Sequence, residues 1–185
     1  MLGNQRGDGR CPKTTFLTFH GYNLDGLPET LAYPGGMVVT NLYTGRNQIL
    51  SITADGPPPL ASYSHDLNGN RTGKTLENGT STSYSFDDAS RVTNIVHSVA
   101  STNFASFAYG YDSVDRRTFV KHADGKGDVF RYDPIDQVTN VLYQATNPDS
   151  TPSAPLREVS YSLDAAGNRT SVTDNGTPTA YTQCR

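Results

Sequence analysis

Residues 109–116 read Tyr-Gly-Tyr-Asp-Ser-Val-Asp-Arg, and this stretch decides the fold because the chain repeats its pattern. The pattern is an aromatic residue, a spacer, a second large residue and an aspartate, with Gly, Asn or Arg a few positions later. Clear copies begin at Tyr63, Tyr84, Tyr109, Phe130 and Tyr161, and two degenerate copies precede them at residues 20–27 and 42–46. The aspartate position recurs every 21 to 31 residues, and such a period predicts stacked supersecondary units.

Each copy of the repeat predicts a β-hairpin. Residues two apart share one face of a strand, so Tyr109 and Tyr111 would place two large side chains on one side of a sheet. The aspartate favours a turn because its side chain can accept hydrogen bonds from backbone amides two residues on, while Gly or Asn tolerates positive φ. Asn-Gly or Asp-Gly pairs close many copies, at residues 55–56, 78–79, 124–125 and 175–176. We therefore predict an all-β meander of antiparallel hairpins.

The repeat resembles the YD repeat of the Rhs/YD-repeat family, and the resemblance covers roughly residues 18–181. It is carried by the Tyr-x-Tyr-Asp motif together with Gly-Asn-Arg-Thr after it, at residues 69–72 and 167–170. The family includes polymorphic toxin shells, Tc insecticidal toxin subunits, wall-associated proteins and teneurins. Its hairpins spiral into a large β-shell. The resemblance thus implies a curved, spiralling sheet that forms part of such a shell, in a parent protein that is typically secreted or on the bacterial surface.

The repeat also predicts how the chain is organised. Residues 1–17 are expected to form a flexible N-terminal tail, and residues 18–181 a single repeat domain with a Pro-rich insertion at 147–155. Residues 182–185 break off where another unit should begin. Cys11 and Cys184 lie near the two ends, where two free thiols or a bridge between the ends would both fit the sequence. No signal peptide is visible, so the sequence leaves the localisation open.

Composition excludes several classes of function. The net charge is −3 with no basic stripe, which gives no case for nucleic-acid binding, and no apolar run is long enough to span a membrane. The common signatures for a serine nucleophile, a phosphate loop or a zinc site are absent. Eleven tyrosines supply much of the apolar surface, which indicates a thin, Tyr-rich sheet.

One stretch has the oxygen spacing of a calcium loop. Asp66, Asn68, Asn70 and Glu77 fall at positions 1, 3, 5 and 12 of such a loop, although Arg71 stands where a glycine is expected. Ca²⁺ binding and a chance match to the Gly-Asn-Arg repeat both explain this spacing. His65, just before the loop, stands where other copies have an aromatic residue or leucine, so it is either a packed substitute or a catalytic residue.

Three functions are compatible with these features. The first is a structural or interaction module whose exposed sheet edges self-associate or add a strand from another chain. The second is a calcium-dependent hydrolase of small esters or lactones, such as acyl lactone signals, in which the ion polarises the carbonyl and His65 assists water. The third is binding of a glycan by rows of exposed tyrosines. We take the first as the main prediction and leave the other two as alternatives.

Overall fold

A computed structural model describes residues 18–181 and confirms the predicted all-β fold. These residues form fifteen strands and no helix, so they include no helix long and apolar enough to cross a membrane. The chain groups into two compact units, residues 1–60 and 61–185. The expected tail at 1–17, the end at 182–185, Cys11 and Cys184 lie outside the described residues. The single repeat domain over 18–181 stays a prediction.

Every described strand pairs antiparallel with the next strand of its own unit, as hairpin repeats require. The first unit contains β1 (Phe19–Tyr22), β2 (Pro28–Ala32), β3 (Val38–Tyr43) and β4 (Ile49–Ala54). The second unit contains β5 (Ala61–His65), β6 (Arg71–Leu76), β7 (Thr80–Phe86), β8 (Val92–Val99), β9 (Thr102–Tyr111), β10 (Arg117–His122), β11 (Lys126–Tyr132), β12 (Val138–Thr146), β13 (Arg157–Leu163), β14 (Arg169–Asp174) and β15 (Thr177–Ala180). Each unit is therefore a meander.

The repeated aspartate begins a five-residue turn between the two strands of each hairpin. In the turn at Asp112, the Asp112 amide donates to the Arg116 carbonyl at 2.9 Å, and Asp112 Oδ1 accepts from the amides of Val114 and Arg116 at 3.0 and 2.9 Å. The fourth residue has positive φ in every such turn of the second unit: Gly69 (91°), Ser90 (60°), Asp115 (69°), Asp136 (67°) and Gly167 (83°). The predicted role of aspartate as a turn cap is confirmed.

The first unit shows that this turn can form with or without a capping side chain. Asn23 and Thr44 cap their turns through a side-chain oxygen, as the degenerate copies predict. The turn at Tyr33 has the same backbone hydrogen bonds without a cap: the Tyr33 amide donates to the Met37 carbonyl at 2.9 Å, and Gly36 has a φ of 91°. The backbone alone can thus form the turn, and the capping oxygen adds stability to it.

Strand pairing separates large from small side chains in the second unit. Cross-strand partners lie on the same face of a sheet, and Tyr84 pairs with Ile95, which pairs with Phe107. The adjacent pair, Ser83 and Val96, lies on the other face. One face of β7–β9 is therefore aromatic and aliphatic, and the other is lined mainly by small residues.

The hydrophobic core is small. Val129, Leu142 and Ala145 are buried together, with Phe119 packed against them, across β10–β12. Among residues 18–181 no large side chain is completely buried. Stability must therefore come largely from strand pairing, partly buried tyrosines and turn contacts, as expected for a thin sheet.

The connections on the opposite side of the hairpins also follow the sequence prediction. Asn-Gly and Asp-Gly pairs at 78–79, 124–125 and 175–176 join β6 to β7, β10 to β11 and β14 to β15, and 55–56 follows β4. The insertion at 147–155 lies between β12 and β13. It is held by pairing of Thr146 with Ser153 and by an ion pair between Lys121 Nζ and Asp149 Oδ2 at 2.7 Å.

Replacing Asp133 with alanine tests the cap where no ion pair is involved. Asp133 Oδ1 accepts from the amides of Ile135 and Gln137, at 3.0 and 2.9 Å. We expect Asp133→Ala to lower the free energy of unfolding by roughly 1–3 kcal/mol, because each of the two hydrogen bonds contributes about 0.5–1.5 kcal/mol. Asp133→Asn keeps the acceptor, as Asn23 does, and should stay near the wild type. Urea unfolding followed by circular dichroism measures both variants, and equal losses would contradict the capping role.

Candidate functional site

The turns of the second unit contact one another through their fifth residues. We call this row the turn ladder: the turns that begin at Asp66, Asp87, Asp112, Asp133 and Asp164, in which the fifth residue of each of the first four reaches towards the following turn. One of these contacts is made by Arg91, the fifth residue of the Asp87 turn. Its Nη1 donates to the Asp112 carbonyl at 3.1 Å and to Asp115 Oδ1 at 2.6 Å.

The two oxygens of the capping carboxylate have different partners. Asp87 Oδ1 accepts from the amides of Ala89 and Arg91, at 3.0 and 2.9 Å. Asp87 Oδ2 accepts from Arg91 Nε at 2.7 Å. One oxygen therefore holds the turn, while the other orients the guanidinium towards the next turn.

Arg116 repeats this arrangement one turn further on. Its Nε donates to Asp112 Oδ2 at 2.6 Å, and its Nη1 donates to the Asp133 carbonyl at 2.9 Å and to Asp136 Oδ1 at 2.8 Å. Arg91 and Arg116 thus each join two successive turns through a carboxylate on either side. Charge-assisted hydrogen bonds of this kind are stronger than neutral ones.

Tyrosines of the repeat complete the same junctions. The Tyr111 hydroxyl donates to the Val92 carbonyl at 2.8 Å, and Arg91 Cζ lies 4.8 Å from the centre of the Tyr111 ring. Tyr132 makes the equivalent contacts with the Arg117 carbonyl, at 2.8 Å, and with Arg116, at 4.9 Å. These distances suit cation–π contacts. The second aromatic residue of the repeat therefore contacts both the guanidinium of the preceding turn and a backbone carbonyl of the adjacent strand.

Neutral side chains take the place of arginine in two other turns. Asn70 Nδ2 donates to Asp66 Oδ2 at 3.0 Å and to Ser90 Oγ in the next turn at 3.1 Å. Gln137 Nε2 lies against Gly167 and fills the space where a side chain at that position would begin. A contact from the fifth residue to the fourth residue of the next turn is therefore common to four successive junctions.

The ladder lowers the pKa of its carboxyl groups. The pKa of Asp87 is lowered first by the Arg91 backbone amide, and further by the Arg91 guanidinium. Partial burial alone would raise the pKa of Asp112, but hydrogen bonds from the Arg116 side chain and backbone outweigh it and leave the pKa lowered. Both carboxylates therefore stabilise the folded state above their unfolded pKa of about 3.8, and this contribution is lost as the pH falls through the lower folded pKa.

The structure separates the residues of the predicted calcium site. Asp66, Asn68 and Asn70 lie in one turn, where Asp66 accepts from the amide and the side chain of Asn70 at 2.8 and 3.0 Å. Glu77 lies beyond the far end of the six-residue strand β6, roughly 20 Å away at the usual rise of a strand. No group of three or more His, Cys, Asp or Glu side chains suited to a metal occurs within residues 18–181. Calcium binding by Asp66, Asn68, Asn70 and Glu77 stays a prediction, with Glu77 distant from the other three.

His65 ends β5, directly before the Asp66 turn. Its Nδ1 atom is buried and has no hydrogen-bond partner within residues 18–181. The interpretation of His65 as a packed substitute for an aromatic residue accounts for this burial. Its catalytic role stays a prediction.

A depression of about 430 Å³ lies on the small-residue face of the second unit. Its lining includes the side chains of Ser62, Ser64, Thr75 and Ser83 around Gly73. Tyr63 also lines it. This depression was not predicted from the sequence.

Neutralising one arginine of the ladder tests its electrostatic role. Arg116→Gln gives this turn the same fifth residue as the next turn, where it is Gln137. It also removes the positive charge that forms ion pairs with Asp112 and Asp136. We expect a loss of stability at neutral pH that shrinks as the pH falls below 3.8, because protonated Asp112 no longer gains from Arg116. Urea unfolding across this pH range measures it.

Arg131→Gln is the matched control, because it removes the same charge from an exposed side chain outside the ladder. A loss that is independent of pH, or equal in the two variants, would contradict the electrostatic role of Arg116.

Comparison with known proteins agrees with this geometry. Residues 62–102 match the family model described as RHS Repeat. These residues contain β5–β8 and the first two turns of the ladder. No curated protein matches the chain.

Two solved structures share the fold over most of the chain. The chain is similar to the crystal structures of TcdB2-TccC3-TEV and TcdB2-TccC3-Cdc42, each at 17% identity, with TM-scores of 0.66 and 0.67. Both matches cover 90% of this chain and 9% of the other, so this chain spans a small part of their length. The family resemblance expected from the Tyr-x-Tyr-Asp motif is thereby confirmed: the chain contains an RHS repeat over residues 62–102, within a fold that it shares with TcdB2-TccC3.

Proposed function

We propose that this chain is a structural and interaction module, a section of a longer shell or surface protein built from RHS-type repeats. The turn ladder is the observation that carries this proposal. Arg91 and Arg116 use their donors to join one repeat to the next, so charge-assisted hydrogen bonds of the second unit connect successive repeats. The similarity to a much longer protein of the same fold supports the same conclusion.

The edge strand β15 of the second unit is partly protected. The Tyr181 amide donates inward to the Thr170 carbonyl at 2.9 Å. Because successive backbone nitrogens of a strand point to opposite sides, those of Pro178 and Ala180 point away from β14. Proline has no amide hydrogen, so Ala180 offers the outward donor within this strand. Proline is a common device for blunting an edge strand.

The edge strand β1 of the first unit lacks this protection. It reads Phe-His-Gly-Tyr and contains neither proline nor lysine. Phe19 and Tyr22 are 69% and 61% exposed. Among the strands of residues 18–181, β1 pairs only with β2. An unpaired strand side with exposed aromatic side chains favours addition of a strand from another repeat or from a second copy of the chain. We infer that β1 is the edge at which another strand adds.

Charge substitution at the two edges tests this assignment. We expect the protein to self-associate with rising concentration, and Phe19→Lys to shift it towards the monomer, because a lysine on an edge strand opposes pairing. Thr177→Lys on β15 is the matched control and should change association little. Sedimentation velocity over a range of concentrations measures the distribution. A monomer at all concentrations, or an effect confined to Thr177→Lys, would contradict the assignment.

The calcium-dependent hydrolase and the glycan-binding module remain alternatives from the sequence. Calorimetry on metal-stripped protein, with esters and lactones assayed in parallel, separates the hydrolase from the structural module. Calcium binding that Asp66→Ala abolishes, together with turnover lost on chelation, would replace the structural proposal. Binding without turnover would leave it in place, with the ion as part of the turn.

A further inference from the structure

The tripeptide Asn-Gly-Thr occurs twice in the described chain, at residues 78–80 and 175–177. Both copies lie in short connections between adjacent strands, β6 to β7 and β14 to β15. Both asparagines are exposed. The two copies share this tripeptide but differ in the flanking residues, Glu77 and Ser81 in one and Asp174 and Pro178 in the other, so comparison with the unfolded chain isolates the effect of the fold.

The side-chain carbonyls of the two asparagines have similar surroundings. Asn78 Oδ1 accepts from the Thr80 amide at 3.0 Å, and Asn175 Oδ1 accepts from the Glu158 amide at 2.8 Å. A donor at this position stabilises the negative charge that develops on the oxygen when a nucleophile attacks Cγ. Both carbonyls are thus prepared for attack to a similar degree.

The following glycine amides differ. The Gly79 amide donates to the Leu76 carbonyl at 3.0 Å, so its nitrogen is held within the turn. Within residues 18–181 the Gly176 amide has no hydrogen-bond acceptor. The nitrogen of Gly176 is therefore open to solvent base, and the absence of a side chain at Gly176 leaves it accessible.

We propose that Asn175 is a site of spontaneous deamidation and that the fold protects Asn78 from the same reaction. Hydroxide removes the Gly176 amide proton, and the nitrogen attacks Cγ of Asn175. A new carbon–nitrogen bond closes a five-membered succinimide as the bond from Cγ to Nδ2 breaks, and Nδ2 takes a proton from water and leaves as ammonia, which regenerates hydroxide. Water then opens the ring at either carbonyl, which gives an aspartyl or an isoaspartyl residue. The reaction consumes one water and requires no oxidant or reductant.

The isoaspartyl product would alter the pairing of β13. The Asn175 amide donates to the Glu158 carbonyl at 2.8 Å, while Asn175 Oδ1 accepts from the Glu158 amide, so residue 175 satisfies both backbone groups of Glu158. An isoaspartyl linkage lengthens the main chain by one carbon and displaces both contacts. The aspartyl product keeps the acceptor oxygen and the original main chain. The modification therefore loosens the β13–β15 region of the second unit when it takes the isoaspartyl form.

Peptide mapping of the full chain during incubation at mildly alkaline pH tests the proposal. Trypsin separates the sites into peptides 75–91 and 170–185, and isoaspartyl methyltransferase identifies the rearranged product. We expect Asn175 to convert roughly tenfold faster than Asn78, the factor supplied by one strong backbone hydrogen bond. In urea, where neither turn persists, the two sites should convert at similar rates. Equal rates in the folded protein, faster conversion of Asn78, or the same difference in urea would overturn the proposal.

Amide exchange at Glu158 gives an independent readout. We expect faster exchange in protein enriched in the isoaspartyl form. Asn175→Asp, which carries the acceptor on an unaltered main chain, is the matched control and should exchange like the wild type. Unchanged exchange in the isoaspartyl form would contradict the structural consequence.

Discussion

The division of work between the two carboxylate oxygens of Asp87, and likewise of Asp112, is the constraint on which the joined turns of the second unit depend. Asp87 Oδ1 binds two amides of its own turn, and Oδ2 binds the Arg91 guanidinium. The carboxylate thereby orients the guanidinium so that its Nη1 donates to Asp115 Oδ1. Holding the hairpin and joining it to the next one are therefore tasks of the same side chain, which explains why an acidic residue recurs at this position.

A sheet with little buried apolar volume needs such contacts. The buried cluster consists of Val129, Leu142 and Ala145, and tyrosines that remain partly exposed cover much of one face. A tyrosine can contribute both ring area and a hydroxyl donor, as Tyr111 does beneath Arg91. Because each repeat binds mainly its neighbours, stability in this architecture is a sum of local terms and nearest-neighbour junctions.

The sequence predicted the elements that depend on local spacing. Turn formation at Asp112 follows from the chemistry of a few adjacent residues, and so does the hairpin at Asn175-Gly176. The reach of Arg91 to Asp115 was missed, because it depends on how the two turns of β7–β10 lie side by side. Glu77 was grouped with Asp66 because a loop pattern counts residues, whereas the intervening β6 is extended and carries them apart. Asn70 was expected to offer its oxygen, and the structure uses its nitrogen.

The common form of the junctions has an evolutionary consequence. Asn70, Arg91, Arg116 and Gln137 all reach the fourth residue of the following turn, so successive hairpins present interchangeable surfaces to one another. A hairpin gained by gene duplication or lost by deletion would meet neighbours that already carry matching contacts. Recombination can therefore lengthen or shorten such an array without a new interface between hairpins. The number of repeats then becomes a property that is inherited and that selection can act on.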